Sequence, residues 1–152
     1  MVFTSDEIEY LTSNTLGRLA TVATDGQPDV VPVAVEFDGA SFWIGGPSLV
    51  TRTRKFRNVA DGNSKVSLVV DDLPSMDPFI ARGVRIYGQA EQPFERQGAV
   101  GPGVYMRISP LVSWSWNLAG EPAGDTWYDT RRAEHSGTGS MTGPSAPGEG
   151  SP

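Results

Sequence analysis

The sequence predicts a mainly β protein, a small antiparallel β-barrel of six or seven short strands with two helices. Short segments alternate apolar and polar residues in the two-residue period of a strand, and Asp-Gly pairs separate the first of these segments. The 152 residues, of which 38% are hydrophobic and 20% charged, have the length and composition of one ordinary globular domain. Many short strands with few helices favour a barrel over a layered α/β arrangement.

The first elements are predicted to be a short helix and a meander of three strands. Thr4 and Glu7 match a capping box at the start of the helix, and Ile8 and Leu11 supply its apolar face. An Asp-Gly pair between two apolar runs is a strong hairpin signal. The three strands are predicted at residues 16–23, 29–37 and 40–45, with Asp-Gly turns between them.

A second helix is predicted after the third strand, from Pro47-Ser48 to about Ala60, with Ser48 as its N-cap and Phe56 on its apolar face. Further strands are predicted at residues 65–71, 83–91, 104–108 and 111–118. Residues 1–130 are expected to form the ordered domain. In residues 131–152, 14 of 22 residues are Gly, Pro, Ser or Thr, so we expect a flexible tail there.

Several classes of site are excluded or disfavoured by composition. The chain has no Cys, which excludes disulfides and thiolate chemistry, and its single His, His135, disfavours zinc and Ser-His-Asp sites. The spacing of Asp71-Asp72 and Asp77 is too generic to predict a metal site. If the protein is an enzyme, we therefore expect a cofactor to carry its chemistry.

Charge and hydropathy also limit the expected partners and location. No apolar run approaches the ~20 residues of a membrane span, and Met1-Val2-Phe3 is followed at once by polar residues rather than by a leader pattern. We expect a cytoplasmic protein without a membrane partner. The net charge of −6 argues against a nucleic-acid partner.

The first candidate site is a cluster of cations in the second helix. Four of the twelve Lys and Arg residues stand within six positions of this acidic chain, at Arg52, Arg54, Lys55 and Arg57. Hydroxyl residues lie close by in the sequence, as a phosphate or polycarboxylate site requires. The alternative is a solvated helix face that balances nearby acidic residues.

Two further segments could hold a flat ligand. Pro32 interrupts a valine-rich strand, which marks a sheet edge whose free backbone groups could bind the rim of a heterocycle. The alternative there is a plain edge strand. Trp114 and Trp116 fall on one face of a later strand, where they either pack in the core or an interface, or form a wall for an aromatic ligand. Trp127 and Tyr128 could fold over the same surface.

Taken together, these segments resemble a known family. The order of Leu16-Gly17-Arg18-Leu19-Ala20-Thr21-Val22, Asp25-Gly26-Gln27-Pro28, Val31-Pro32-Val33 and Arg54-Lys55-Phe56-Arg57-Asn58-Val59 is similar to the pyridoxamine 5′-phosphate oxidase-like split β-barrel family. Later segments agree, among them Val69-Val70-Asp71-Asp72 and Arg107-Ile108-Ser109-Pro110. The nearest resemblance is to its branch of small proteins that use the deazaflavin coenzyme F420. It implies an FMN-binding-like split β-barrel.

The resemblance also implies cofactor-binding positions. It implies that Lys55, Arg57 and Asn58 hold the cofactor phosphate, with Arg54 and Ser48 as helpers. It implies that the ring lies against Val31, Pro32 and Val33. Members of the family are usually homodimers with the cofactor between subunits, which would bring Trp114 and Trp116 to the interface or beside the ring. The C-terminal substrate-phosphate residues of the true oxidases have no match here, which argues against pyridoxamine phosphate as substrate.

The function that this resemblance implies is an F420-dependent reductase. Such an enzyme transfers hydride from the reduced deazaflavin to an electron-poor conjugated C=C bond or to a quinone-like small molecule. The alternatives are an FMN-dependent oxidoreductase on the same fold and a non-catalytic protein that binds a cofactor or another planar ligand. No residue is predicted to be catalytic, and the proton would come from water, Tyr87 or Tyr105.

Overall fold

Nine antiparallel strands form one continuous sheet in residues 3–136, the part of the chain that the computed structural model describes. The strands follow one another in the spatial order β2-β1-β5-β6-β8-β4-β3, and β7 and β9 each pair with β8. In chain order the elements are α1 (Ser5–Ser13), β1 (Leu16–Val22), β2 (Pro28–Ala34), β3 (Glu36–Phe37), β4 (Phe42–Gly46), a 3-10 helix (Ser48–Arg52), α2 (Arg54–Ala60), β5 (Lys65–Met76), β6 (Phe79–Ala90), β7 (Phe94–Gly98), β8 (Gly101–Trp116) and β9 (Thr130–Glu134).

The mainly β architecture, the N-terminal helix and the helix after the meander are confirmed, whereas the strand number is higher than predicted. The predicted second strand is divided into β2 and the two-residue β3. The two strands predicted around Pro110 form a single strand, β8, which passes Pro110 with a register shift opposite Tyr87 and Gly88. The additional strand β7 has the polar sequence Phe94-Glu95-Arg96-Gln97-Gly98, which lacks an apolar period.

The capping box that the sequence predicts at the start of α1 is present. The Glu7 backbone amide donates to Thr4 Oγ1 over 3.1 Å, and the Thr4 amide donates to Glu7 Oε1 over 2.8 Å. These bonds partner two of the amides that have no acceptor within the helix. Tyr10 and Leu11 then point into the core.

The core lies between the inner face of the sheet and the two helices. Strand residues alternate between this core and the outer face, so that Leu19, Leu68 and Ile86 are buried side by side on neighbouring strands. No helix in residues 3–136 has the length and hydropathy to cross a membrane.

The predicted boundary of the tail differs from the structure. Residues 131–134 belong to β9, which pairs with β8 and buries Ala133 in the register opposite Ser113. A flexible tail is therefore the wrong description of residues 131–134. The remainder of the predicted tail, residues 137–152, lies outside the described residues. The sequence did not predict β9 because most of its side chains are polar and exposed.

His135 follows β9 and connects the end of the described chain to the core. Its Nε2 lies 2.8 Å from Oγ of the buried Ser113, and its ring packs 4.3 Å from the ring of Phe3. Burial lowers the pKa of His135 below its ordinary 6.5; the Glu7 carboxylate opposes the shift and Arg131 adds to it. The folded protein therefore binds a proton at His135 less readily than the unfolded chain does.

We expect this histidine to make the fold acid-sensitive. Because its folded pKa is lowered, the free energy of unfolding falls as the pH drops below about 6.5, the ordinary pKa. Thermal unfolding followed between about pH 7.5 and pH 5.5 should show a smaller loss of Tm in His135→Gln than in the parent. Carboxylates with lowered pKa, such as Asp72, act at lower pH and leave this window to the histidine. An equal loss in the two proteins would contradict the assignment.

Candidate functional site

Helix α2 is held against the sheet by its buried side chains. Phe56 and Val59 lie in the core, and the Asn58 side-chain amide donates to Thr21 Oγ1 on β1 over 2.9 Å. Both members of this hydrogen bond are 1% exposed. Asn58 therefore fixes the helix on β1, and its burial keeps its side chain from direct contact with a ligand.

The cations of the cluster remain without carboxylate partners. Within residues 3–136, none of Arg52, Arg54, Lys55 and Arg57 forms an ion pair, although six of the eight other Lys and Arg residues do. The ion pairs of the described residues therefore do not support the alternative in which the cluster balances nearby acidic residues. Four cations without an ion pair in the described residues are therefore grouped on α2 and the 3-10 helix before it.

Lys55 has the most unusual environment of the four. It is half-buried, and burial lowers the pKa of its ammonium group, an effect that the nearby Asp29 carboxylate opposes. The two groups form no ion pair, and the buried Asp29 Oδ2 has no hydrogen-bond partner among the described residues. A bound anion would supply the negative partner that Lys55 lacks, and a hydroxyl group of the same ligand would donate the hydrogen bond that Asp29 Oδ2 lacks.

Ser48 lies apart from this arrangement. It begins the 3-10 helix and lines a groove of about 510 Å³ together with Arg96 and Gly103, and none of the α2 cations lines that groove. The prediction of Ser48 as an N-cap is wrong, because Pro47 and Thr53 precede the two helical segments and neither segment has a side-chain cap.

The three residues of β2 that were predicted to lie against the ring differ in their burial. β2 is an edge strand, as Pro32 predicts. Val33 is 6% exposed and belongs to the core, Val31 is half-buried against that core, and Pro32 is exposed on the outer face. Of these three residues, only Pro32 presents an exposed side chain to a ring, and Val33 could contact one through its backbone alone.

The two tryptophans of β8 lie on the outer face of the sheet. Ser113 and Ser115 point inward and are buried, whereas Trp114 and Trp116 are half-buried and line a cavity of about 890 Å³. The core alternative is therefore wrong for these indoles, whereas the interface and the ligand-wall alternatives both agree with their position.

Three further residues contribute to this cavity. Tyr87 and Arg85 of β6 lie beside Trp114 of β8. Trp127 reaches the cavity from the loop that precedes β9. The alternation of β6 indicated that Arg85 and Tyr87 share one face, but not which residues they meet. Trp127 lines the same cavity as Trp114 and Trp116, in agreement with the expectation that it could fold over their surface.

The acidic residues at the same end of the sheet have structural partners. Asp71 pairs with Arg18, and Asp72 accepts from the Tyr10 hydroxyl over 2.6 Å and from Arg82 over 2.8 and 3.0 Å. These contacts lower the pKa of Asp72, against the effect of its burial. In residues 3–136 no group of three His, Cys, Asp or Glu side chains could hold a metal ion.

Comparison with known proteins identifies the class to which this fold and site belong. Residues 4–103 match the family described as pyridoxamine 5′-phosphate oxidase, and the chain belongs to this family. The predicted resemblance and the predicted split β-barrel fold are thereby confirmed.

Among curated proteins, the chain is similar to the 5a,11a-dehydrotetracycline/5a,11a-dehydrooxytetracycline reductase of Streptomyces rimosus subsp. rimosus. The two are 47% identical over 93 residues, which are 60% of this chain and 64% of that protein. The matched part thus spans less than two thirds of the relative.

Solved structures share the fold at low identity. A conserved hypothetical protein of Mycobacterium tuberculosis is 24% identical with a TM-score of 0.60, over 83% of this chain and 93% of that one. An F420 reductase is 22% identical with a TM-score of 0.51, over 69% and 93%. A heme-binding protein of Mycobacterium smegmatis is 17% identical with a TM-score of 0.58, over 86% and 59%. Proteins named as a reductase and as a heme-binding protein thus share this fold.

Proposed function

We propose that this protein is a reductase that uses the deazaflavin coenzyme F420 to reduce an electron-poor conjugated C=C bond or a quinone-like molecule. The observation that carries the proposal is the set of unpaired cations on α2, which suits the phosphate and carboxylates of an anionic cofactor tail. The relative of 47% identity, a reductase by name, supports the same class of reaction.

The residues of α2 and β2 fit such a cofactor in different ways. The cofactor phosphate would be held by Lys55, Arg54 and Arg57. Asp29 Oδ2, which has no hydrogen-bond partner among the described residues, would accept a hydrogen bond from a hydroxyl group of the cofactor tail. Asn58 contributes by keeping the helix on β1. Pro32 and the edge backbone of β2 would form the surface beneath the ring. Ser48 stands with Arg96 instead, so it would need a tail that extends beyond α2.

The reaction class follows from the name of the relative. A 5a,11a-dehydro compound lacks two hydrogens across one bond, so its reduction adds a hydride to one carbon and a proton to the other. When bound, the reduced deazaflavin supplies the hydride and leaves oxidised. The part of this chain is to orient donor and acceptor and to exclude water between them.

The proton for this reduction is expected to come from solvent. Tyr105 is 2% exposed and its hydroxyl donates to the Gly101 carbonyl over 2.7 Å, which leaves it without access to a substrate. Tyr87 is 45% exposed at the large cavity. Because general acid catalysis contributes about 10²–10⁴-fold, Tyr87→Phe should lose less than about tenfold in kcat. A loss of about 10²-fold or more would instead assign the proton to Tyr87.

Anaerobic turnover tests the proposed reaction. The purified protein is mixed with reduced F420 and a conjugated enone, and the return of oxidised F420 fluorescence is recorded, with the corresponding saturated ketone as the matched control. Oxidation of reduced F420 with the enone, but not with the saturated ketone, supports the proposal. Turnover with reduced FMN in place of F420 would move the protein to the flavin alternative, and binding without turnover would favour a carrier.

We also propose that the protein acts as a homodimer. The outer face of β1 and β2 exposes Leu16 by 54% and Val30 by 65%, with Pro32 exposed between them, so a second copy would cover aliphatic surface there. A second copy is the occupant that the family resemblance implies. Light scattering should give twice the mass of one chain, and Val30→Glu should shift it toward the monomer.

A further inference from the structure

The large cavity of the outer face is walled by aromatic side chains. Tyr87, Trp114, Trp116 and Trp127 line a volume of about 890 Å³ beside the paired carboxylates of β5. The rings of Tyr87 and Trp114 meet edge-on, with centroids 4.7 Å apart and planes at 69°. Such walls suit a flat, extended aromatic ligand better than a flexible one.

One charge in this cavity is unpaired. The guanidinium of Arg85 lies 4.1 Å from the ring centroid of Trp114 and 5.4 Å from that of Tyr87, and it forms no ion pair within residues 3–136. The two carboxylates of the cavity, Asp71 and Asp72, are already paired with other arginines. A guanidinium that lies over an indole ring and has no carboxylate partner retains N–H groups that can bind an anionic oxygen of a ligand.

Trp127 is held in place as the outer wall. The side-chain amide of Asn117 donates to the carbonyls of Ala81 and Glu121, each over 2.9 Å, at the start of the loop. At its end, the Tyr128 hydroxyl lies 3.2 Å from the carbonyl oxygen of Phe79 on β6 and 2.9 Å from that of Glu121. Trp127 stands between these two ties, 63% exposed. The loop is therefore tied to β6 on both sides of the indole.

A glycine makes room for the inner wall. Gly83 lies opposite Trp116 in the register of β6 and β8, and a Cβ at Gly83 would come within 2.9 Å of Trp116 Cζ2. All three tryptophans of the cavity follow residue 103, where the match to the family ends. The three tryptophans thus lie outside the matched residues, whereas Tyr87 and Arg85 lie within them.

We propose that this cavity binds a flat, polycyclic aromatic molecule that carries an anionic oxygen, such as an enolate, phenolate or carboxylate, with Arg85 as its charge partner and Trp127 as its stacking wall. This inference rests on the proposed function and names its substrate class: the conjugated C=C bond or quinone that is reduced belongs to a fused-ring compound.

Calorimetric titration of the cofactor-free, full-length protein tests the site without catalysis. The probes are anthraquinone-2-carboxylate and its neutral partner 2-(hydroxymethyl)anthraquinone. We expect Arg85→Gln to weaken binding of the carboxylate at least about tenfold and binding of the neutral probe less than about threefold. Arg85→Lys should recover part of the loss, because it restores the charge but not the planar stack.

Two matched controls accompany these variants. Lys65→Gln removes the same charge from an exposed, unpaired residue of β5 that does not line the cavity, and it should change neither affinity by more than about twofold. Trp127→Ala should weaken both probes at least about fivefold, whereas Phe94→Ala, which also removes a partly exposed aromatic ring, should not.

The opposite results would overturn the inference. These are failure of both probes to bind the parent protein, an equal effect of Arg85→Gln on the two probes, or a change of oligomeric mass in Trp127→Ala with probe affinity unchanged. Failure of this site is distinguishable from failure of the proposed function. A protein that binds F420 but neither probe retains the proposed function alone, whereas one that binds the probes but not F420 retains the cavity as a site for flat anions.

Discussion

Replacement of Lys55 by methionine is expected to weaken F420 binding at least about tenfold, equivalent to about 1.4 kcal/mol, while leaving the fold as stable as the parent or more stable. The loss follows from removal of a half-buried cation that forms no ion pair within residues 3–136. The gain follows from the direction of its pKa: because burial lowers it, the charged form of Lys55 disfavours the folded state at neutral pH. Methionine keeps the apolar stem and removes that charge.

Lys65→Met is the matched control for this variant. Lys65 is exposed on β5 and also lacks an ion pair within residues 3–136, so its replacement alters net charge equally without touching α2. Fluorescence titration gives the affinity, and thermal unfolding gives the stability. If Lys55→Met and Lys65→Met lower F420 affinity equally, Lys55 is merely a solvated cation and the phosphate assignment fails.

Replacement of Phe56 by alanine should cost about 3–5 kcal/mol of the free energy of unfolding, the range for truncation of a buried Phe. Phe56 is 1% exposed and lies in the core on the inner face of α2. Its loss leaves a cavity beneath the helix that carries the cations. Equilibrium unfolding in urea measures the effect, and Phe56→Leu, which preserves most of the volume, should cost less than about 1.5 kcal/mol.

Phe94→Ala provides the contrast for this second prediction. Phe94 is 42% exposed on β7, and its main aromatic contact is edge-on with Trp43 at 5.8 Å. Its truncation should cost less than about 1 kcal/mol, as expected for a surface position. A cost below about 1 kcal/mol for Phe56→Ala would show that α2 does not pack on the sheet as described.

The parts of the fold that follow local rules could be predicted from the sequence. Thr4 and Glu7 specify the cap of α1, and the Asp-Gly turns specify the first meander, because these signals depend on neighbours in the chain. The strands that were missed, β7 and β9, are stabilised by pairing with β8 rather than by an apolar period of their own. Polar residues such as those of β9 become a strand only when an existing strand offers its edge.

The candidate site, too, could be predicted only where its sequence signals are local. The cation cluster is visible as a local excess of charge, whereas the burial of Asn58 and Val33 depends on which face the sheet turns inward. A one-residue change of register would exchange Pro32 with its neighbours on the two faces. The stacking of Arg85 on Trp114 joins residues on different strands, and no pattern within one strand encodes it.

Parallel fluorescence titration of the purified protein with F420 and with FMN tests the central claim most directly. The account predicts saturable binding of F420 that is at least about tenfold tighter than that of FMN, and a loss of this preference in Lys55→Met. Preference for FMN would contradict the assignment of the cofactor. Binding of neither would contradict the assignment of α2 as a cofactor site.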